Sequence, residues 1–394
     1  MVFNRVTTKV TIVILLIYWL SQFGGRRLIP IYLLVVLFYI LSLKYRFIAN
    51  QELIETLGIF GVGLVVRVVT ILVNPNPPID VLLLCSQAID YLLQGVNPYT
   101  VTYSIPPELI MYPNLLGGCP YPPLMLWLLM PGHVLFQDLR FSILVADLFV
   151  GFLLYMFSDD KNLGAFMATL YILNPLGTQI LKFAWNESIL ALFLLLTLFY
   201  WKNGKKDISC VFLGLSLGIK QFAIVFTPFM WKNYTKKQIL VSILVGIFTY
   251  MPYLTLSPYD LLYDIFLYFN YVRYDSKSLI PFILRFFWDD STTIPSNVRT
   301  ILSILQYSVV GSLILKLLNH STTAEKIAYN FSLSLFIFIL LSPVSNINYF
   351  YLLLPFFALG AKEFMKTEGE EATFSLKHCL SDLIKKITDK KIKQ

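Results

Sequence analysis

Asp80 is the first residue in this chain that invites chemistry, because it stands almost alone as a carboxylate in an unusual stretch. It follows Asn74-Pro75-Asn76-Pro77-Pro78-Ile79 and heads a segment that carries Gln87 and Asp90, with Tyr99 and Tyr121 beyond. Farther along stand Glu187, the pair Lys220-Gln221, Arg273 and Tyr349. An acid at such a place can act as a general base, taking a proton from an attacking hydroxyl, or simply cap the helix it opens. A cation such as Lys220 or Arg273 can hold a phosphate. Tyrosine rings can stack on sugars, and amide or acid side chains fix a ligand's orientation. Together these residue types suit a polar group carried on a lipid. A glycine-rich phosphate loop, a His/Cys metal spacing and a Ser-His-Asp arrangement are all missing from the sequence, and three histidines are too few for a His-based metal site.

Elements must position these groups, and periodicity names the first of them. On a helical wheel, residues 80–94 separate into an apolar half (Val81, Leu82, Leu84, Cys85, Ala88, Ile89, Leu92, Leu93) and a polar half (Asp80, Ser86, Gln87, Asp90, Tyr91, Gln94). The expectation is a helix along a membrane surface with Asp80 as its N-cap and its polar face toward a cavity. Cys85 and Cys119 share the loop 74–123 and could pair in an oxidising compartment.

The rest of the chain is lipid-like. Mean hydropathy is +0.69; 57% of residues are hydrophobic and 14% charged, which excludes an ordinary soluble domain. The net charge of +8 does not point to nucleic acid, because the cations lie in short loops and the tail. The expected fold is therefore an all-α polytopic membrane protein with about 12 spans, between 10 and 13. The run Val10 to Leu20 reads as a retained first helix, since no small-residue cleavage site follows it.

Lysine clusters orient the spans. If Lys44/Arg46, Lys202/Lys205/Lys206, Lys232/Lys236/Lys237 and the tail from Lys362 are cytoplasmic, residues 1–50 form a hairpin and 51–362 the main domain. Two large outer loops, 74–123 and 257–298, then share one face, and 363–394 form a basic cytoplasmic tail. Residues 121–137, broken by Pro122, Pro123 and Pro131-Gly132, read as a half-helix. Residues 208–231 lie between two lysine clusters and must turn back near Lys220-Gln221; each arm of about 11 residues reaches only roughly 16 Å. One long span with Lys220 snorkelling is the other reading. The tail reads as an amphipathic helix on anionic lipid or as a solvated segment.

Asp80, Gln87, Leu93, Gly95, Asn97-Pro98-Tyr99 and Tyr121-Pro122-Pro123-Leu124 together resemble the first outer loop of GT-C-fold glycosyltransferases. The likeness is to polytopic lipid-phosphate-sugar mannosyltransferases: glycosyltransferase family 87 and, more distantly, the dolichyl-phosphate-glucose and GPI mannosyltransferases. Asn186-Glu187-Ser188, the run Gly214 to Gln221 with Pro228, and Ser342-Pro343 to Tyr349 with Pro355 are similar to that group's later motifs. The likeness covers roughly residues 53–361.

It implies an enzyme that transfers a hexose, such as mannose, with inversion, from a polyprenyl- or dolichyl-phosphate-linked donor to a lipid-linked or protein glycan acceptor. Transfer would occur on the non-cytoplasmic face of a prokaryotic cell membrane or endoplasmic reticulum. The family's acid maps onto Asp80 as catalytic base. Gln87, Asp90, Tyr99, Tyr121, Glu187, Lys220, Gln221, Arg273 and Tyr349 are the substrate-binding candidates, Lys220 for the donor phosphate. One acid stands where some relatives carry an Asp-x-Asp or Glu-x-Asp pair, so the sequence names no cofactor and leaves a divalent metal open. A transporter or lipid flippase, or a non-catalytic subunit, are rival readings. Against transport, the polar groups gather on one face and no inverted repeat is visible.

Overall fold

A computed structural model describes residues 51–77, 79–104, 118–267, 276–288 and 294–367. The N-terminal hairpin, Arg273 and the tail from residue 368 lie outside them. The described elements are helical. In chain order they are α1 (Gln51–Val73), α2 (Asp80–Leu93), α3 (Pro123–Phe136), α4 (Arg140–Phe157), α5 (Lys161–Ile172), α6 (Leu176–Lys182), α7 (Glu187–Lys202) and α8 (Lys206–Leu217). There follow α9 (Ala223–Trp231), α10 (Lys236–Leu256), α11 (Pro258–Leu262) with a π-helical turn Tyr263–Leu267, α12 (Leu279–Leu284), α13 (Ser296–Leu318), α14 (Ala324–Leu340) and α15 (Ile347–Thr367).

Among them, α4, α10 and residues 297–318 of α13 are long and apolar enough to cross a bilayer, and Leu57–Val73, Pro123–Phe136 and Ile347–Ala361 are shorter apolar helices. On α10 and α13 large apolar side chains stay uncovered, among them Phe248, Leu256, Ile301 and Leu315. Exposed apolar surface on that scale is what lipid covers, so this is an integral membrane protein. Other apolar stretches are built from shorter pieces. The stretch 163–181 breaks at Leu173-Asn174, ahead of Pro175, into α5 and α6. The half-helix expected at 121–137 is α3, a 14-residue helix with Pro131 inside.

One end of the bundle gathers the lysines. Lys202 donates to the Phe157 carbonyl at the end of α4 and lies 3.8 Å from Glu325 at the start of α14. The α8–α9 pair turns back on itself through residues 218–222: Ser209, near its beginning, bonds the Tyr234 hydroxyl just past its end, and Gln238 reaches Asp207 at 2.9 Å. Lys232 and Asn233 meet the loop after α13. Thr235 and Thr323 cap the helices that start here, Thr235 with Gln238 in a reciprocal capping box. Gly214 lets α8 lie close on α10, since a Cβ there would come within 2.6 Å of the Ser242 carbonyl.

The opposite end holds the first outer loop. Arg140, fully buried, forks onto Asp138 and also donates to the Asn74 and Ile71 carbonyls, which closes the C-terminus of α1 and fixes where the loop begins.

Candidate active site

Helix α2 begins at Asp80, whose carboxylate accepts from the Val81 N–H at 2.8 Å. The residue before it, Ile79, occupies the cap position and has no side-chain oxygen to offer, so Asp80 is the first helical residue rather than the expected N-cap. Burial corrects the expected orientation too. The stripe Asp80, Leu84, Cys85, Ala88 and Ile89 faces the core, while Asp90 and Gln94 face outward. Apolar burial won the choice of face, and of the polar half only Asp80, at the helix head, reaches the cavity.

That cavity, of about 70 Å³, is lined by Asp80, Val81, Leu84, Pro120, Tyr121, Pro122, Trp185, Asn186, Glu187, Lys220, Gln221, Asn346, Asn348 and Tyr349. Asp80, Tyr121, Glu187, Lys220, Gln221 and Tyr349, drawn from four separate parts of the chain, therefore meet in one place. Lys220 sits in the turn between α8 and α9, and its ammonium donates to Glu187 and, at 3.0 Å, to Asn186 Oδ1. It also lies 5.4 Å from the Tyr349 ring and 5.8 Å from that of Phe222. Glu187 is fully buried and accepts a further bond from Asn348 Nδ2 at 2.7 Å. The lysine expected to be open for phosphate is thus held by a carboxylate. An ammonium has three N–H donors, and two of them serve these partners.

A second cavity of about 320 Å³ shares Lys220, Gln221 and Tyr349 with the first and runs on between Phe222, Ile224, Val225, Ile265, Tyr307, Phe338 and Val344. It is mostly apolar. Both edges of the second outer loop dock beside it: Gln221 donates to the Ile265 carbonyl at 2.6 Å, and Ser276 and Ser278 donate to the carbonyls of Ser345 and Ser342.

Three expected residues lie elsewhere. Gln87 exchanges two hydrogen bonds with the Ser104 backbone, stapling the loop to α2. Asp90 bonds His133 of α3 at 2.8 Å on an exposed edge. Tyr99 is buried; its hydroxyl donates to the Tyr121 carbonyl and its ring packs edge-on against Tyr253. Cys85 and Cys119 are buried free thiols. Burial pushes the Cys119 thiol up to about 12, which keeps it protonated. Its backbone N–H donates to Asp264 of the π-helical turn at 2.8 Å, and Gly118 lies against that carboxylate, where a Cβ would come within 2.0 Å of Oδ1. Among the described residues no group of His, Cys, Asp and Glu gathers as a metal site would require.

Sequence reasoning missed a deeper cluster. Asp147 of α4, fully buried, accepts from Arg67 Nε (2.6 Å), Tyr171 (2.7 Å), Ser188 (2.7 Å) and Tyr351 (2.8 Å). Ser188 and Tyr351 are close neighbours of Glu187 and Asn348 on α7 and α15, so this knot fixes the two helices that line the cavity. The signal was available: Arg67 and Asp147 are ionisable residues inside otherwise apolar helices.

Known proteins bear on this geometry. No family model matches the chain. GPI mannosyltransferase 1 of Debaryomyces hansenii is 27% identical over 217 residues, 49% of this chain and 50% of that protein, so the chain spans about half the length of the curated relative it matches. The crystal structure of ArnT from Cupriavidus metallidurans, bound to undecaprenyl phosphate, superposes with a TM-score of 0.55 at 14% identity, over 80% of this chain and 60% of that one. The fold is the GT-C fold. The likeness to GT-C membrane glycosyltransferases expected from the loop motifs therefore holds, while the expected count of spans is not reproduced by the three long helices described.

Proposed function

We propose that this chain is a multi-pass glycosyltransferase that moves a hexose, mannose in our reading, from a polyprenyl- or dolichyl-phosphate-linked donor to a lipid-linked or protein glycan acceptor. The reaction is set on the non-cytoplasmic face and inverts the anomeric centre. The observation that carries this is that Asp80 and Lys220 line one cavity, which joins an apolar cavity at Lys220, Gln221 and Tyr349. The names of the two similar proteins, a mannosyltransferase and an enzyme bound to undecaprenyl phosphate, support the sugar and the lipid class.

In this scheme the isoprenoid tail lies in the apolar cavity and the phosphate takes the remaining N–H of Lys220 at the junction. The acceptor hydroxyl attacks the anomeric carbon, the bond from that carbon to the phosphate oxygen breaks, and Asp80 takes the hydroxyl proton. Polyprenyl phosphate leaves with the electron pair, its charge offset by Lys220. A single displacement of this kind inverts the centre.

Asp80→Asn tests the reading. It keeps the shape and an acceptor for the Val81 N–H but removes the base, so transfer by the purified, folded variant should fall about 10²-fold or more. Near-normal transfer would remove Asp80 from the chemistry and make Glu187 the next acid to test.

A further inference from the structure

Three buried polar atoms around the Lys220–Glu187 pair have no hydrogen-bond partner among the described residues: Asn186 Nδ2, Glu187 Oε2 and Asn348 Oδ1. All three residues line the smaller cavity and are nine-tenths or more buried. The identity of each amide atom follows from its neighbour. Asn186 must turn its oxygen to the Lys220 ammonium, and Asn348 must turn its nitrogen to the Glu187 carboxylate, at 3.0 Å and 2.7 Å. The atoms left over are then one donor and two acceptors, on residues that line one cavity.

Leaving such atoms unmet is unfavourable, and the residues that carry them border the cavity a ligand would enter. The pattern selects the ligand's chemistry. A phosphate or carboxylate only accepts, so it would satisfy Asn186 and be repelled by the two oxygens. An ammonium only donates, so it would leave Asn186 unmet. A hydroxyl donates and accepts at once, and neighbouring hydroxyls on a ring meet all three atoms. We infer that Asn186, Glu187 and Asn348 form the subsite that reads the hydroxyls of the donor's hexose, and so set which sugar the enzyme accepts. The inference rests on the transferase reading and deepens it. It places the sugar on the Asp80 side of Lys220 and the tail on the other, because Lys220 lines both cavities. At about 70 Å³ the smaller cavity has room for several waters, whose places the sugar's hydroxyls would take.

The test uses the full chain in lipid nanodiscs and compares equilibrium binding of bare polyprenyl phosphate with that of its mannosyl, glucosyl and galactosyl esters. In the wild type, one ester should bind about tenfold or more tightly than the bare lipid, with the epimers ranked apart. Asn186→Asp keeps an acceptor for Lys220 and replaces the free donor by a second carboxylate beside Glu187; Asn348→Leu deletes the free acceptor together with the bond to Glu187. Each should reduce the sugar's increment, taken as the ratio of ester to bare-lipid affinity in the same variant, to about threefold or less and flatten the epimer ranking. An undiminished increment in both variants means that these atoms hold water only and overturns the inference, even if wild-type transfer proceeds. Loss of acceptor affinity with the donor increment intact overturns it as well, by assigning the subsite to the acceptor. Should Asn348→Leu fail to fold, Asn186→Asp decides alone. A wild type that transfers sugar from none of the three donors instead sinks the transferase reading itself.

Discussion

Ser188 and Tyr351 both donate to Asp147, whereas Glu187 and Asn348, close by on the same two helices, bond each other and each keep one oxygen without a partner. The two layers are built from the same kinds of group, a buried acid and a cation (Arg67 buried, Lys220 partly so) with amides or hydroxyls around them. They differ in satisfaction. Asp147 receives four bonds on its two oxygens, and of Arg67 only Nη2 is left unmet. The Glu187 layer leaves three atoms open and borders a cavity. A satisfied buried network fixes a structure, while a partly satisfied one costs stability and persists where a ligand completes it. Asp147 therefore reads as the scaffold and Glu187 as the site.

The strongest test of that contrast is to break the scaffold. Asp147→Ala strands the Arg67 guanidinium in the bundle, a loss of about 3–5 kcal/mol, a large fraction of the roughly 5–15 kcal/mol that holds an ordinary folded protein together. Expression should collapse, or the detergent-solubilised protein should unfold far below the wild type. The double variant Arg67→Met/Asp147→Leu removes both charges and should recover much of the loss. A single variant that melts with the wild type would show that the knot is dispensable.

Glu187→Gln carries the comparison to the open layer. The amide oxygen still accepts from Lys220 and Asn348, so folding should survive with a modest drop in melting temperature. What goes is a charged acceptor for the ligand, where a bond is worth about 1.5–3 kcal/mol. Transfer should fall about tenfold to a hundredfold. If the variant instead fails to fold as Asp147→Ala does, both layers are scaffold and the distinction drawn from their open atoms is lost.

How much of this was legible beforehand depends on what kind of information each residue carries. Asp80, Glu187, Lys220 and Tyr349 were found because lysine clusters and apolar run lengths set which helix ends share a side, and four such ends met in one cavity. That logic says nothing about partners. Lys220 was read as free for phosphate, although its bond to Glu187 spans 33 residues. The Arg67–Asp147 pair spans 80 residues, and a window that scores hydropathy averages a single charge away. Gln87 and Asp90 failed for another reason. A helical wheel separates two faces of α2 but cannot say whether the polar one meets a cavity, solvent or its own loop. Only packing of Leu84, Cys85, Ala88 and Ile89 against the core decides it.

Between the closed and the open layer stands a third acid, Asp264, and it supplies the smallest effect. Among the described residues it takes one hydrogen bond, from the Cys119 N–H. Burial pushes its carboxyl up to about 6; the Cys119 bond opposes this, and nearby Asp260 adds to it. In an unfolded chain the same group titrates near 3.9. Between about pH 4 and 6 the folded state therefore binds more protons than the unfolded one, so stability falls as pH rises through that window and levels off above it. Its contribution is present in full only below the unfolded value. Asp264→Asn keeps an acceptor for Cys119 and cannot ionise, so its melting temperature should lose this part of the slope and should match or exceed the wild type at pH 7. The same slope in both proteins would mean that Asp264 is already charged in the folded state. It would then belong with the well-satisfied acid of the scaffold and not, as its single bond suggests, midway between the two layers.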